Sequence, residues 1–291
     1  MFKAIDDPFL VPFDRSFSIA DFPTSPPVKA GDKKNQRKQL KKLRNELDEL
    51  QQMLYATDKH AVLVIFQAMD AAGKDSTIRA VFTGVNPAGC QVFSFKQPSS
   101  EELDHDFLWR TNRRLPERGR IGVFNRSYYE EVLVVRVHPE LLGNQKLPGK
   151  IDGKGIWKQR CESIAENEAH LARNGVVVVK FWLNVSKEEQ KRRFLSRIEK
   201  PDKNWKFSVG DCEERRYWDD YMTAYEEALA ATSRSCAPWY AIPADDKPYM
   251  RNKVAEVLVH NLRQLNIGFP KVNKKTRQQL AEIRESLESQ G

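Results

Sequence analysis

The stretch from residue 61 to residue 85 constrains the fold most. Ala61–Phe66 reads A-V-L-V-I-F, six apolar residues rich in β-branched types. Such a run has no polar face, so as a strand it needs cover on both sides, as in the middle of a parallel sheet. After Gln67 comes A-M-D-A-A-G-K-D-S-T (Ala68–Thr77), and then Ile78, Val81, Phe82 and Val85 recur along one helix face. Buried strand, tight turn and amphipathic helix are the setting of a phosphate-binding loop. The helix start offers unpaired N–H groups and the positive end of its dipole. Gly73 lets the backbone turn close to phosphate oxygens, and Lys74 adds a full positive charge. Ala71, Ala72, Gly73, Asp75, Ser76 and Thr77 complete the expected cradle. Two positions depart from G-x-x-x-x-G-K-[ST]: Ala68 stands at the first glycine and Asp75 at the hydroxyl position, with Ser76 and Thr77 displaced. Asp70 would repel bound phosphate unless a cation lies between them. It is therefore either a Mg²⁺ ligand, which the loop geometry favours, or a solvent-facing loop residue.

The rest of the chain alternates in the same way. Strands are expected at Ile121–Phe124, Val176–Val185 and Trp239–Ile242, and helices at Lys33–Thr57, Glu101–Arg114, Trp157–Arg173, from Lys187 to about Pro201, Asp211–Ser233, and around Val254–Leu265. Ser186 and Glu189 have capping-box spacing. Strands separated by helices predict an α/β fold, a parallel sheet with right-handed crossovers. Ligands of such sheets bind beyond the carboxyl ends of the strands. Asn125, Arg126 and Glu130 fall there, after Ile121–Phe124. Arg126 can hold a phosphoryl group in a planar fork. Glu130 is either a Mg²⁺ ligand, the favoured reading, or an ordinary acid of a helix's first turn. Leu40, Leu43, Leu47, Leu50 and Leu54 mark a stripe that packs on its own domain or pairs subunits.

Composition narrows the function classes. The 291 residues hold 48 Lys+Arg against 40 Asp+Glu, a formal charge of +8, concentrated in residues 29–44 and 187–206. Such fields attract phosphate chains, nucleic acid or anionic lipid. The longest apolar run is broken by Lys180 and is far short of the roughly 20 residues of a membrane span. No secretory signal is apparent. Cys90, Cys161, Cys212 and Cys236 are scattered, which suits a reducing cytosol and disfavours a zinc site.

Five segments carry a family resemblance: D-A-A-G-K-D-S-T (Asp70–Thr77), H-D-F-L-W-R (His105–Arg110), F-N-R-S-Y-Y-E-E-V-L (Phe124–Leu133), W-K-F-S (Trp205–Ser208) and A-P-W-Y-A-I-P-A-D-D-K (Ala237–Lys247). In this order, they resemble polyphosphate kinase 2, and Asn125 with Glu130 is similar to its class III subgroup. The resemblance implies a P-loop kinase fold akin to thymidylate kinase, with a helical lid at about 187–232 in a core of 59–268. An irregular arm (1–32) and an amphipathic helix (33–58) would precede this core, and a tail (269–291) would follow. It implies transfer of a terminal phosphoryl group between inorganic polyphosphate and nucleoside mono- or diphosphates. Mg²⁺, with Mn²⁺ an alternative, would be held by Asp70, Asn125 and Glu130, and Lys74 and Arg126 would complete the catalytic set. Arg192, Arg193 and Arg197, with Lys203 and Lys206, are then expected to form a polyphosphate track. On that reading Arg193→Ala weakens the use of polyphosphate more than that of nucleotide. Lys96, Asp106, Trp109, Arg110 and Arg113 are expected to hold the acceptor nucleotide. A cytoplasmic homodimer or homotetramer with no membrane or nucleic-acid partner completes the expectation. The alternatives are an ATP-dependent nucleoside-monophosphate kinase of the same fold and a non-catalytic polyanion-binding protein.

Overall fold

The computed structural model describes residues 2–28, 30–148, 153 and 155–290. Five parallel strands form one sheet in the order β2-β3-β1-β4-β5: β1 (Ala61–Gln67), β2 (Cys90–Ser94), β3 (Ile121–Asn125), β4 (Val176–Asn184) and β5 (Trp239–Pro243). β1 is central and every residue of it is buried, as its unbroken apolar run requires. It pairs Val62 with Ile121 on one side and Val177 on the other. The chain fills one flank of β1 with β3 and β2, then crosses to the other for β4. The switch point therefore lies at the carboxyl end of β1, where the phosphate loop begins.

β2 escapes the sequence reading. Its residues C-Q-V-F-S are only half buried or exposed, so this edge strand lacks the apolar run that marks the others. The stretch 101–114 is also not one helix: Ser100–Leu103 and Trp109–Asn112 are separate turns. Similarly, 211–233 divides into Val209–Glu214, a 3₁₀ turn at Arg215–Tyr217, and the helix Trp218–Thr232.

The leucine stripe of Lys33–Thr57 is used within the chain. Leu47, Leu50 and Leu54 are buried, and the helix packs along the closing helix Lys247–Arg263. Asn252 Nδ2 donates to the Gln36 carbonyl at 2.6 Å across that contact. The N-terminal segment lies antiparallel along the outer edge of β5, through Val11 N to Trp239 O (2.9 Å) and Ala241 N to Phe9 O (2.8 Å). It buries Ile5, Phe9, Val11 and Phe17 and covers an edge that would otherwise expose a ladder of backbone groups. No helix among the described residues is long and apolar enough to cross a membrane. Residues 149–152 and 154, in the polar stretch between Gly143 and Gly155, lie outside the described residues.

Candidate active site

The turn after β1 delivers its charges onto a helix N-terminus. Gly73 has φ +110°, a conformation open chiefly to glycine, and the helix Lys74–Phe82 follows. Its first turn has no intrahelical partners for its N–H groups. Lys74 is buried, with Nζ 2.5 Å from the Ala68 carbonyl and 3.5 Å from that of Met69. Burial pushes its ammonium below the ordinary lysine value, and Arg126 pushes the same way against Asp70, Glu130 and Asp75. Not all of the expected cradle faces a ligand. Ala72 is buried and its N–H donates to Met69 O at 3.2 Å, while Thr77 is buried with its N–H on Gly73 O and its hydroxyl toward the Met250 sulfur. Both belong to the scaffold, because their groups are already engaged inside. Ser76 Oγ donates back to Gly73 O at 3.0 Å, leaving its N–H as its contribution. Asp75 accepts from Asn125 Nδ2 at 2.8 Å, so its carboxylate ties β3 to the loop and only its backbone suits an anion.

Arg126 joins the two carboxylates that the sequence singles out. Its backbone N–H donates to Phe66 O at the end of β1 (3.1 Å). Its guanidinium donates to Asp70 Oδ1 at 2.9 Å and to Glu130 Oε2 at 3.1 Å. Those partners, Glu130 foremost, hold the guanidinium more firmly protonated than usual against the cost of burial. Arg126 (φ +64°) and Ala71 (φ +59°) both occupy left-handed backbone, a local cost that surrounding structure must over-determine.

That support is a buried polar cluster which sequence reasoning missed. The 3₁₀ turn Tyr128–Val132 connects Arg126 to Glu130. Tyr128 and Tyr129 hydroxyls donate to Glu168 Oε1 at 2.8 and 2.9 Å. Lys180 Nζ donates to Glu168 Oε2 (2.5 Å), Tyr129 Oη (2.9 Å) and Thr232 O (3.0 Å). Lys180 is fully buried in β4, and Glu168 nearly so. The only sequence signal was a lysine inside an otherwise apolar strand.

The basic helix Lys187–Glu199 grips the loop from outside. Ser186 caps it, accepting from Glu189 N at 3.1 Å. The expected reciprocal bond of the capping box gives way to Arg192 and Arg193, which both donate to the Glu189 carboxylate at 2.6 Å. Gln190 Nε2 donates to Asp70 O at 3.0 Å. Arg193 is buried and donates to the carbonyls of Ala71 (3.1 Å), Ala72 (2.5 Å), Ala244 (2.6 Å) and Asp245 (3.3 Å). This takes Arg193 off a surface track: Nη1 is engaged by the loop, Nη2 by the Ala244 and Asp245 carbonyls after β5, and Nε by Glu189 of its own helix. Arg193→Ala should therefore depress turnover about equally with either substrate varied and destabilise the fold by about 3 kcal/mol. Paired steady-state titrations and a urea melt check both expectations. A selective rise in the polyphosphate KM would restore the track reading.

Of the remaining expected track residues, Arg192 is largely exposed. Arg197 pairs with Asp211 at 3.0 Å, and burial together with the nearby Asp70 pushes that carboxyl up. Lys203 Nζ donates to Ser196 Oγ at 3.3 Å. The Lys206 side chain lies outside the described residues. The five acceptor residues gather after β2 but are largely engaged with one another. Arg110 donates to Lys96 O at 2.6 Å and pairs with Glu102 at 3.5 Å. Asp106 accepts from Leu108 N (2.9 Å), a turn-forming role. Trp109 stacks on His105 with ring centroids 3.8 Å apart, and Arg113 lies over the Trp109 ring at 4.6 Å.

A model of the polyphosphate kinase 2 family matches residues 30–270. The chain is 58% identical over 242 residues to an ADP-polyphosphate phosphotransferase of Rhodopseudomonas palustris, covering 83% of this chain and 84% of that protein. It is 46% identical over 228 residues to an AMP/ADP-polyphosphate phosphotransferase of Meiothermus ruber, covering 78% and 81% respectively. The crystal structure of polyphosphate kinase 2 from Arthrobacter aurescens TC1 superposes with a TM-score of 0.87 at 36% identity, covering 97% of this chain and 99% of that one. With a phosphate loop at the switch point of a parallel sheet and a match spanning most of its length, the chain belongs to the polyphosphate kinase 2 family.

Proposed function

We propose that the protein transfers the terminal phosphoryl group reversibly between inorganic polyphosphate and a nucleoside mono- or diphosphate, in a Mg²⁺-dependent reaction. The observation that carries this reading is Arg126 joining Asp70 and Glu130 beside the Lys74 loop, in a chain whose relatives act on ADP, AMP and polyphosphate by name. The attacking group is a terminal phosphate oxygen of the nucleotide, already anionic, so no general base is required. The obstacle is repulsion between two polyanions, and the chain's task is positioning and charge neutralisation. The N–H groups at the helix start and the Lys74 ammonium bind the donor's end; Arg126 lies where it can reach the phosphoryl group in transit. The bonds broken and formed are both phosphoanhydrides, which makes the transfer nearly balanced.

Among the described residues no three His, Cys, Asp or Glu side chains group to hold a metal alone. Two carboxylates and the Asn125 amide oxygen do suit a hard cation that keeps one or two carboxylates and shares substrate phosphates. Asp70, Glu130 and Asn125 would therefore hold Mg²⁺, or Mn²⁺, which when bound would offset phosphoryl charge. The His105–Trp109 stack with Arg113 offers an aromatic and cationic surface for the acceptor nucleotide. A homodimer or homotetramer is part of the reading, though Leu47, Leu50 and Leu54 of the N-terminal leucine stripe are already buried within the chain. The four free cysteines accord with a reducing, cytoplasmic setting.

The test offers each common nucleoside mono- and diphosphate with polyphosphate or with ATP as donor, with and without Mg²⁺, followed in both directions. Phosphoryl transfer from polyphosphate that stops on chelation is expected. Transfer from ATP alone would favour the nucleoside-monophosphate kinase reading.

A further inference from the structure

Neighbouring acids of the 3₁₀ turn Tyr128–Val132 point opposite ways. Glu130 reaches Arg126 and stays partly exposed, whereas Glu131 turns inward and is buried. The partner of Glu131 is Arg160, itself buried in the helix Gly155–Arg173. Arg160 Nη1 donates to Glu131 Oε2 at 2.7 Å and to the Glu131 carbonyl at 3.1 Å. Arg160 Nη2 donates to the amide oxygen of Gln145, whose Nε2 donates back to Glu131 Oε2 at 2.7 Å. Arginine, amide and carboxylate thus close a ring of hydrogen bonds directly behind the residue that carries Glu130.

The same arginine reaches the segment proposed to hold the acceptor. Its guanidinium lies over the Phe107 ring at 5.2 Å and over the Trp157 ring at 5.8 Å. Phe107 packs against the core between His105 and Trp109, whose stack forms the acceptor surface. Lys146, next to Gln145, donates to the Asp104 carboxylate and ties the same stretch to that segment a second time. Among the described residues, Arg160 makes no hydrogen bond or ion pair with the phosphate loop. A buried arginine–carboxylate pair is a poor stabiliser, because the cost of desolvation offsets much of the attraction. What it does supply is direction, since a planar fork fixes the orientation of both partners.

We infer that Arg160 is a positioning residue that holds the acceptor surface and the Glu130 turn at one spacing, through Phe107 on one side and Glu131 on the other. This rests on the phosphoryl-transfer reading above. Arg160 touches neither the acceptor stack nor Glu130 itself. It fixes the elements that carry them, so its loss falls on the acceptor and on turnover, and spares the grip on the donor.

Steady-state kinetics of Arg160→Met, with each substrate varied in turn, test the inference. The acceptor KM should rise about tenfold, the worth of one charge-assisted tie. Turnover should fall by about tenfold or more, as a small misplacement at a reacting centre requires. The polyphosphate KM should stay within about twofold of wild type. Calorimetric titration of the acceptor without donor should show the same weakening as its KM. Arg160→Lys, which keeps the charge and loses the planar fork, should recover part of both effects. Should Arg160→Met fail to fold with Glu131 left unpaired, adding Glu131→Gln removes the stranded charge and should restore the melting temperature. Acceptor KM and kcat should nevertheless stay impaired in that double variant. Their return to wild-type values in it would reduce Arg160 to a structural role and overturn the inference, as would equal rises in the two KM values or no change in either. No transfer from polyphosphate by the wild type would instead overturn the parent reading.

Discussion

Lys74→Ala is expected to lower kcat by roughly 10³-fold while leaving the melting temperature unchanged or higher. The two halves of that result have one cause. The Lys74 ammonium is buried against two loop carbonyls, and burial disfavours its charge, so the folded protein gains little by keeping it. Its value is realised when a phosphoryl group enters and charge develops beside it in a partly desolvated site. The sign of the pH dependence follows. The folded value lies below the unfolded one, so the unfolded chain binds more protons between the two. Stability attributable to Lys74 therefore rises with pH across that window and is lost as pH falls through it, and Lys74→Met should remove this component. Turnover assays and urea melts from neutral to alkaline pH measure both. Retention of more than about a tenth of the wild-type kcat would take Lys74 out of the reaction.

Lys180→Met should destabilise the protein by about 3–5 kcal/mol, the largest single effect on stability expected here. The substitution strands Glu168 in the core with only tyrosine hydroxyls as donors. Adding Glu168→Gln should recover a substantial part of the loss, because an amide tolerates burial better than an unpaired carboxylate. The same cluster holds the turn between Arg126 and Glu130, so kcat should also fall in folded Lys180→Met, measured well below its melting point. Displacements of about 1 Å at a reacting centre are enough for large losses. Urea melts of the two single variants and the double one provide the cycle. A cost below about 1 kcal/mol for Lys180→Met, or strict additivity, would mean that the buried pair does not bear on that turn.

Much of this architecture was legible in the residues. β1, β3, β4 and β5 announce themselves as apolar runs because each is buried on both faces. β2 could not, because an edge strand keeps one side in water and needs no such run. The loop, Lys74, Arg126 and Glu130 were readable because their spacing places them at strand ends. Arg193 was misplaced because a basic run looks the same whether its arginines face solvent or fold inward onto carbonyls.

The order of apolar runs, turns and amphipathic stretches is local information, and by itself it determined a parallel α/β sheet with a glycine turn and a helix start after the central strand. Which charges meet is not local. Lys180 lies 12 residues from Glu168 and 51 from Tyr129, and Arg251 meets Arg79 and Arg37 only because three helices pack together. Electrostatic energy depends on separation in space and on exclusion of water, and both are set only once the chain has closed on itself.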